Sequence, residues 1–198
     1  LPSSSEMYPG LLMTEEQVLV FLEQVERAAQ CSDIVVANVH WGSEYTHTPS
    51  DFQKSLAQRM ADAGADIIFG HHPHVIQPME YLEANDGRTA IVCYSLGNFI
   101  STQDHGLRMI GGMMEVEILV DGEEISLDSV LFLPCITHYG PNGTNVQIYP
   151  YDSYTPELAL AHGVRSYTSS FSFEYIKNTV ASVIDAQFLP EDFWTVFP

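Results

Sequence analysis

The residues with the clearest potential for chemistry form a histidine cluster that directly follows an apolar run. Residues 67–69 are β-branched and aromatic, which predicts a buried strand, and Gly70 then lets the backbone leave it sharply. Three histidines come next within four positions: His71, His72 and His74. Residues two apart in an extended loop point the same way, so His72 and His74 are expected to aim their imidazoles at one point. Imidazole is the commonest protein ligand for transition metals, so this pattern predicts a metal site. The alternative is a polar surface loop that is merely rich in histidine.

A second apolar stretch also ends in polar residues. Residues 34–39 predict a strand that is followed by His40 and Glu44. A helix capped by Ser50 or Asp51 is expected next, closed by Gly64. The order strand, helix, strand predicts a βαβ unit with parallel strands, whose carboxyl ends share one edge of the sheet. Ligands of open α/β sheets bind at that edge, so His40 is expected to converge with the His72 and His74 pair.

The remaining elements are predicted from periodicity and turn signals. Thr14 and Gln17 form a capping box, which predicts a helix over residues 15–30. An Asn-Asp-Gly turn at 85–87 predicts a hairpin of strands 77–82 and 90–96. A second hairpin is expected from strands 111–120 and 125–136. Short helices are expected near 157–162 and 173–186, and the aromatic segment 188–198 is expected to dock on the domain.

Composition excludes several function classes. The 198 residues fit one domain, with a core over about 14–150 and a C-terminal segment over 151–198. Twenty-six acidic against seven basic residues give a net charge of −19, which repels nucleic acid, so no DNA or RNA partner is expected. No apolar run is long enough to span a bilayer, and residues 1–5 lack the features of a signal peptide. The cysteines at 31, 93 and 135 lack paired spacing, so free buried thiols are expected.

Four motifs occur in order across about residues 33–100. They are His40-Trp41-Gly42-Ser43-Glu44-Tyr45; Gln53 with Ala63-Gly64-Ala65-Asp66; Gly70-His71-His72-Pro73-His74-Val75-Ile76-Gln77; and Tyr94-Ser95-Leu96-Gly97-Asn98-Phe99. In this order they resemble the poly-γ-glutamate capsule synthesis protein CapA family. A weaker likeness continues through Pro134 and residues 149–150 to the helix at 158–162.

The resemblance implies a fold and a site. The family is similar to the calcineurin-like metallophosphoesterases, whose α/β/β/α sandwich carries two divalent ions, Mn, Fe or Zn. Carried over by resemblance, His40, His72 and His74 are metal ligands, with His71 as an alternative to His72. Glu44 and Asn98 lie beside strand ends and are candidates for contacts to the ligands or the substrate. An exposed carboxylate and an ordinary turn residue are the alternatives for these two.

One departure from the family pattern limits the expected activity. The Asp-x-His, Gly-Asp-x-x-Asp and Asn-His motifs of the superfamily's first half are absent from the sequence. A two-metal site needs bridging carboxylates, so this chain is not expected to retain a bridged pair. The resemblance therefore implies the C-terminal half of a longer protein. The sheet would then have an open edge, inviting self-association or pairing with the missing N-terminal half.

Two functions follow from the resemblance. The first is a metallophosphoesterase-like hydrolase in capsule biosynthesis, active once the missing ligands are supplied, on a small-molecule or anionic polymer substrate. The second is a non-catalytic surface protein that assists synthesis or export of an anionic polymer. The resemblance places either one outside the cell or at its surface, with membrane attachment only through an anchor that this sequence lacks.

Overall fold

The computed structural model describes residues 14–122 and 124–197, and the expectation about residues 1–5 lies outside them. Its first sheet contains β1 (Val36–His40), β2 (Ile67–His71), β3 (Met79–Glu83) and β4 (Thr89–Cys93), in the order β1-β2-β4-β3. The pairs β1–β2 and β2–β4 are parallel, whereas β3 and β4 form an antiparallel hairpin. The predicted βαβ unit and the first hairpin are both confirmed.

Two capped helices cover one face of this sheet. In α1 (Glu15–Ala29) the Thr14 hydroxyl accepts from the Gln17 backbone N–H, while the Gln17 side chain accepts from the Thr14 N–H. In α2 (Asp51–Asp62) Ser50 and Gln53 form the same reciprocal arrangement. Each box satisfies backbone donors that a helix start leaves unpaired, which fixes where the helix begins.

A second sheet follows in the chain. It contains β5 (Ile110–Asp121), β6 (Glu124–His138) and β7 (Gln147–Pro150), all antiparallel and in sequence order. The long β5–β6 hairpin confirms the second predicted hairpin. Its outer part is exposed and apolar, with Leu119 52% and Val120 63% accessible.

Helices fill the last part of the described chain: α3 (Pro156–Ala161), α4 (Phe173–Val183) and α5 (Phe193–Val196). Phe193 and Phe197 are fully buried, whereas Trp194 is exposed, so the predicted docking of this segment is confirmed through residue 197. The helix predicted over 173–186 ends earlier, because Ile184 adopts an extended conformation and Asp185 caps a new 3₁₀ turn.

Two hydrophobic cores hold these layers together. One core joins α1 and α2 to one face of the first sheet, through residues such as Val18, Leu56 and Ile68. The other joins the opposite face to the second sheet and the C-terminal helices, through residues such as Ile91 and Phe132. The chain is therefore a mixed α/β protein, as predicted, and its layers are consistent with an α/β metallophosphoesterase-like fold.

Two further expectations can be compared with the structure. The expectation of buried thiols holds for Cys93 and Cys135 but is wrong for Cys31, which lies exposed just beyond the end of α1. Burial raises the pKa of both buried thiols to about 12, so neither forms a reactive thiolate near neutral pH. Among the described residues, none of the helices has the length and apolarity needed to cross a membrane.

Candidate functional site

The carboxyl ends of β1 and β2 bring the predicted histidines together. The two strands are parallel and in register, so His40 lies opposite His71. The centroid of the His72 ring lies 4.6 Å from that of the His40 ring and 6.1 Å from that of the His74 ring. The convergence predicted from topology is therefore present, with residues more than thirty positions apart in ring contact.

The backbone of the loop that carries His72 and His74 does not have the extended conformation that was predicted. His72 has φ 102° and His74 has φ 59°, so both lie in the left-handed region that is rare for residues other than glycine. Backbone strain of this kind costs on the order of 1–3 kcal/mol per residue and concentrates at functional sites. A left-handed residue therefore stands on each side of Pro73, and the two imidazoles reach the same edge from a bent loop and not from an extended one.

Gly70 also has a different role from the predicted one. It is a regular residue of β2 and makes no sharp turn. A methyl group at its Cα would lie 2.0 Å from the Tyr94 carbonyl oxygen and 2.6 Å from the Trp41 indole nitrogen. Trp41 donates to that same carbonyl at 2.8 Å. Glycine is therefore required here because the backbone passes directly over a buried hydrogen bond.

The hydrogen bonds around Asn98 define the tautomer of His74. The Asn98 amide nitrogen donates to the Arg108 backbone carbonyl at 3.0 Å, and a carbonyl can only accept. The amide oxygen of Asn98 therefore faces His74 Nδ1, at 2.9 Å, and that nitrogen must carry the proton. His74 Nε2 is left with its lone pair free, which is the state a metal ligand needs. Asn98 thus lies where a partner of a histidine ligand is expected.

Glu44 and Tyr45 complete the surroundings of His74. A Glu44 carboxylate oxygen lies 3.7 Å from His74 Nε2, and both side chains are partly exposed. The Tyr45 ring stacks on the His74 ring with centroids 5.9 Å apart, and the Arg108 guanidinium lies 3.7 Å from the centre of the Tyr45 ring. Tyr45 itself has φ 65° and donates its N–H to the Pro73 carbonyl at 2.7 Å. The loops after β1 and β2 are therefore fastened directly to each other.

The electrostatics of the cluster keep its central histidines neutral. Burial lowers the pKa of His71, and the nearby His40 lowers it further. Burial is also the main cause that lowers the pKa of His72, with added contributions from His40 and His74, against an opposing effect of Glu44. Neutral imidazole binds metals and imidazolium does not, so both shifts favour ligation near neutral pH.

Two buried glutamines that the sequence interpretation did not single out as site residues tie the site together. Gln53 and Gln77 are completely buried. The Ser50 N–H donates to the Gln53 side-chain oxygen, so the Gln53 amide nitrogen faces Gln77 and donates to its oxygen at 2.8 Å. The Gln77 nitrogen in turn donates to the Thr46 carbonyl at 2.9 Å. This one-way chain links the start of α2 to the loops that follow β1 and β2.

Two other residues of this region were also missed by the sequence analysis. His47 donates its Nδ1–H to the Ile76 carbonyl at 2.7 Å, which makes it a structural tether between the same two loops. Arg108 reaches the site from a distant part of the chain, the 3₁₀ turn at Gly106–Met109. Both residues lacked a recognisable motif. The only available signal for Arg108 was the rarity of basic residues, seven in 198.

The described side chains at the histidine edge are of the types that bind a divalent transition metal, but they do not lie close enough together to hold one. Neutral imidazoles with a nearby carboxylate are typical ligands of Mn, Fe and Zn. Within residues 14–122 and 124–197, however, no three His, Cys, Asp or Glu side chains are grouped closely enough to hold an ion. The described residues alone therefore do not form a complete coordination sphere, and a metal site here would need further ligands.

The fold and this histidine-rich edge define the class of protein: an α/β domain with a candidate site at the carboxyl ends of parallel strands. The family model described as "Bacterial capsule synthesis protein PGA_cap" matches residues 5–103, half of the chain. The chain belongs to this family, as the four motifs predicted. The matched region includes the predicted site residues from His40 to Asn98.

Curated relatives match the same half of the chain. The PGA biosynthesis protein CapA of Bacillus subtilis is 44% identical over 95 residues, which is 48% of this chain and 23% of the relative. The capsule biosynthesis protein CapA of Bacillus anthracis is 46% identical over 99 residues, 48% of this chain and 22% of the relative. A probable polyglutamine synthesis accessory protein of Mycobacterium tuberculosis is 35% identical over 48 residues, 24% of this chain and 13% of the relative. The aligned part thus spans less than a quarter of these relatives.

Proposed function

We propose that this chain is part of a capsule or poly-γ-glutamate biosynthesis protein, and that its histidine edge supplies ligands to a divalent-metal phosphoesterase-type hydrolase site. His40, His72 and His74 would hold Mn, Fe or Zn together with ligands beyond those described, and Glu44 and Asn98 would support them. The observation that carries the proposal is the tautomer of His74, whose Nε2 lone pair is left free by the hydrogen bond from Nδ1–H to Asn98. The names of the two Bacillus relatives support the capsule role.

The chemistry of such a site is hydrolysis. A bound divalent ion supplies Lewis acidity and makes water a stronger nucleophile at neutral pH. The chain's own part is to keep His72 uncharged, through burial and the neighbouring His40. It also fixes the orientation of the His74 ring through Asn98. A small-molecule or anionic polymer substrate and a cell-surface location belong to the same proposal, by likeness to capsule proteins.

A non-catalytic accessory role is the second candidate. The Mycobacterium relative is named an accessory protein, and its match covers 48 residues of this chain. In that role the chain would assist synthesis or export of an anionic polymer. The net charge of −19 opposes direct electrostatic capture of a polyanion, so contact would need bridging cations or a partner.

Paramagnetic broadening by Mn²⁺ tests the metal ligands, because it detects weak binding as well as strong. The histidine ring protons of the purified chain are followed by NMR during a Mn²⁺ titration. We expect His40, His72 and His74 to broaden before His105 and His162, and His74→Ala to abolish the selectivity. His105→Ala, at an exposed position outside the cluster, is the matched control. Equal broadening of all histidines would overturn the metal site.

Turnover separates the two candidate functions. The Mn²⁺-loaded chain is assayed with bis-p-nitrophenyl phosphate beside the His74→Ala and His105→Ala variants. Hydrolysis that is lost in the first variant and retained in the second supports the hydrolase. Selective Mn²⁺ binding without any turnover would mean that the ligands of this chain alone do not make a hydrolase, and would favour the accessory role for the described residues.

A further inference from the structure

Arg108 is held next to the candidate site by an aromatic ring. Its guanidinium carbon lies 3.7 Å from the centre of the Tyr45 ring, a geometry in which cation–π attraction is strong. The same Tyr45 ring stacks on His74, with centroids 5.9 Å apart. The Tyr45 ring therefore links the positive charge of Arg108 to His74, a candidate metal ligand. Its side chain is 21% exposed, so it is largely buried yet reachable from solvent.

The backbone makes Arg108 part of the same assembly. Its carbonyl oxygen accepts from the Asn98 amide at 3.0 Å, and this hydrogen bond orients Asn98 toward His74. Its N–H donates to the His105 carbonyl at 3.0 Å within the 3₁₀ turn. The position of the Arg108 main chain is thus fixed by the contact that sets the His74 tautomer. The main chain that carries the guanidinium therefore cannot move without disturbing Asn98.

The strained backbone of Tyr45 supports a functional reading of this contact. Tyr45 has φ 65°, an uncommon conformation for an aromatic residue, and 43% of its surface is exposed. An exposed residue gains little core packing to offset the strain. The structure shows two gains instead: the Tyr45 N–H donates to the Pro73 carbonyl, and the Tyr45 ring lies against both Arg108 and His74. Strain that has no packing benefit is typical of functional sites.

The acidic partner of Arg108 is one that a ligand could replace. Asp104 accepts from one guanidinium nitrogen at 3.0 Å across four residues, and its side chain is 65% exposed. Such surface pairs contribute only about 0.3–0.5 kcal/mol. A guanidinium has five N–H donors in a planar fork that matches carboxylate and phosphate oxygens. A substrate anion that arrived beside His74 could therefore take over from Asp104 at small cost.

We propose that Arg108 binds the anionic group of the substrate, a phosphate or a carboxylate, beside the histidine edge. The inference rests on the proposed function for the location of the site and adds the substrate's charge and the residue that recognises it. Tyr45 is a positioning residue in this arrangement, because it holds the guanidinium in place and makes no polar contact with the anion itself.

Anion titrations of the metal-free chain test this proposal. Inorganic phosphate and N-acetylglutamate are added separately at constant ionic strength, and the ring protons of Tyr45 and His74 are followed by NMR. We expect a saturable shift with at least one of the two anions, and the stronger response identifies the source of the charge. Arg108→Gln should weaken that binding by about tenfold or more, the effect of losing a charge-assisted hydrogen bond pair.

The control is Arg59→Gln. Arg59 pairs with Glu15 between two helices, so this variant removes one positive charge without touching the site. Equal binding by wild type and Arg108→Gln, or equal weakening in both variants, would overturn the proposal. A circular dichroism melt checks that Arg108→Gln is folded.

The Mn²⁺ experiment keeps this proposal separate from the function on which it rests. Arg108→Gln should retain selective broadening of His72 and His74 while it loses the anion response. If selective broadening is absent from the wild-type chain and the Arg108-dependent anion response persists, the metal site fails and the anion site stands. If broadening is selective and Arg108→Gln binds anions normally, the metal site stands and the anion site fails.

Discussion

Gly70 lies where the backbone of β2 passes very close to Tyr94 and Trp41, and this close approach yields a direct prediction. In Gly70→Ala the new methyl group would lie 2.0 Å from the Tyr94 carbonyl oxygen, so either the backbone shifts or the Trp41–Tyr94 hydrogen bond breaks. We expect a loss of about 3 kcal/mol in the free energy of unfolding, measured by urea denaturation.

The matched control for this substitution is Gly87→Ala in the β3–β4 turn. Gly87 has φ 86° and nothing within 4 Å of the added methyl group, so only the conformational cost applies, about 1 kcal/mol. Equal losses in the two variants would show that close approach is not what requires glycine at position 70.

The sequence identified the histidines of the candidate site better than it predicted their backbone conformations. His40, His72 and His74 were predicted to converge because parallel strands share an edge, and sheet topology alone supports that inference. The left-handed conformations of His72 and His74 could not be predicted, since residues other than glycine rarely adopt positive φ without a specific local need. Arg108 was missed because its approach depends on the path of residues 98–110, which no motif specifies.

Gln77 joins secondary-structure elements, because its side chain bonds Gln53 in α2 and Thr46 in the loop after β1. In Gln77→Leu the buried Gln53 amide nitrogen and the partly buried Thr46 carbonyl would lose their partners. Each unpaired group costs about 1–3 kcal/mol, so we expect a loss of about 3 kcal/mol in the free energy of unfolding. The loop after β1 should also loosen, with faster hydrogen exchange at the Tyr45 amide that bonds to Pro73.

Gln58→Leu is the control for this variant. Gln58 is a partly exposed glutamine on α2 whose side chain donates to Asp62 and to the Glu83 carbonyl in exposed hydrogen bonds, so their loss should cost less than about 1 kcal/mol. Unchanged exchange of the Tyr45 amide in Gln77→Leu would mean that the amide chain does not hold the loops together.

The elements themselves were largely predictable because their signals are local. Capping boxes fixed the starts of α1 and α2, and the Asn-Asp-Gly turn fixed the first hairpin. Strand boundaries were less accurate: β1 begins at Val36, where residue 34 was predicted, because apolar character does not reveal where pairing with β2 starts. Pairing is a tertiary property, so sequence periodicity cannot locate its limits.

At the scale of the whole molecule, the described chain is layered but open at one side. Within residues 14–122 and 124–197, β1 pairs with β2 alone and is an edge of its sheet. Val36, in the first position of β1, is 49% exposed, and the strand has none of the charged or proline residues that usually protect an edge. This edge is where the proposed self-association, or pairing with further chain, would occur, and it borders His40.

His162 joins the second sheet to the C-terminal helices, and its burial predicts how stability depends on pH. Its Nε2–H donates to the Thr137 carbonyl at 2.8 Å, while Nδ1 accepts from the Val164 N–H at 2.9 Å, so the buried ring is neutral. Burial lowers the pKa of His162 from 6.5 to about 4. Between these values the unfolded chain binds a proton that the folded chain does not, so acid favours unfolding. This contribution to stability is complete above about pH 6.5, declines as the pH falls, and is lost at about pH 4.

We expect a decline of about 2–3 kcal/mol from this group, measured by urea unfolding across that range. The lowered pKa values of His71, His72 and His138 also make acid destabilising. The test therefore compares the pH dependence of stability in a His162 variant with that in the wild type. His162→Asn should be less stable at pH 7 but lose less stability on acidification, whereas exposed His105→Asn should follow the wild type. A pH dependence in His162→Asn as steep as in the wild type would show that this histidine does not link proton binding to folding.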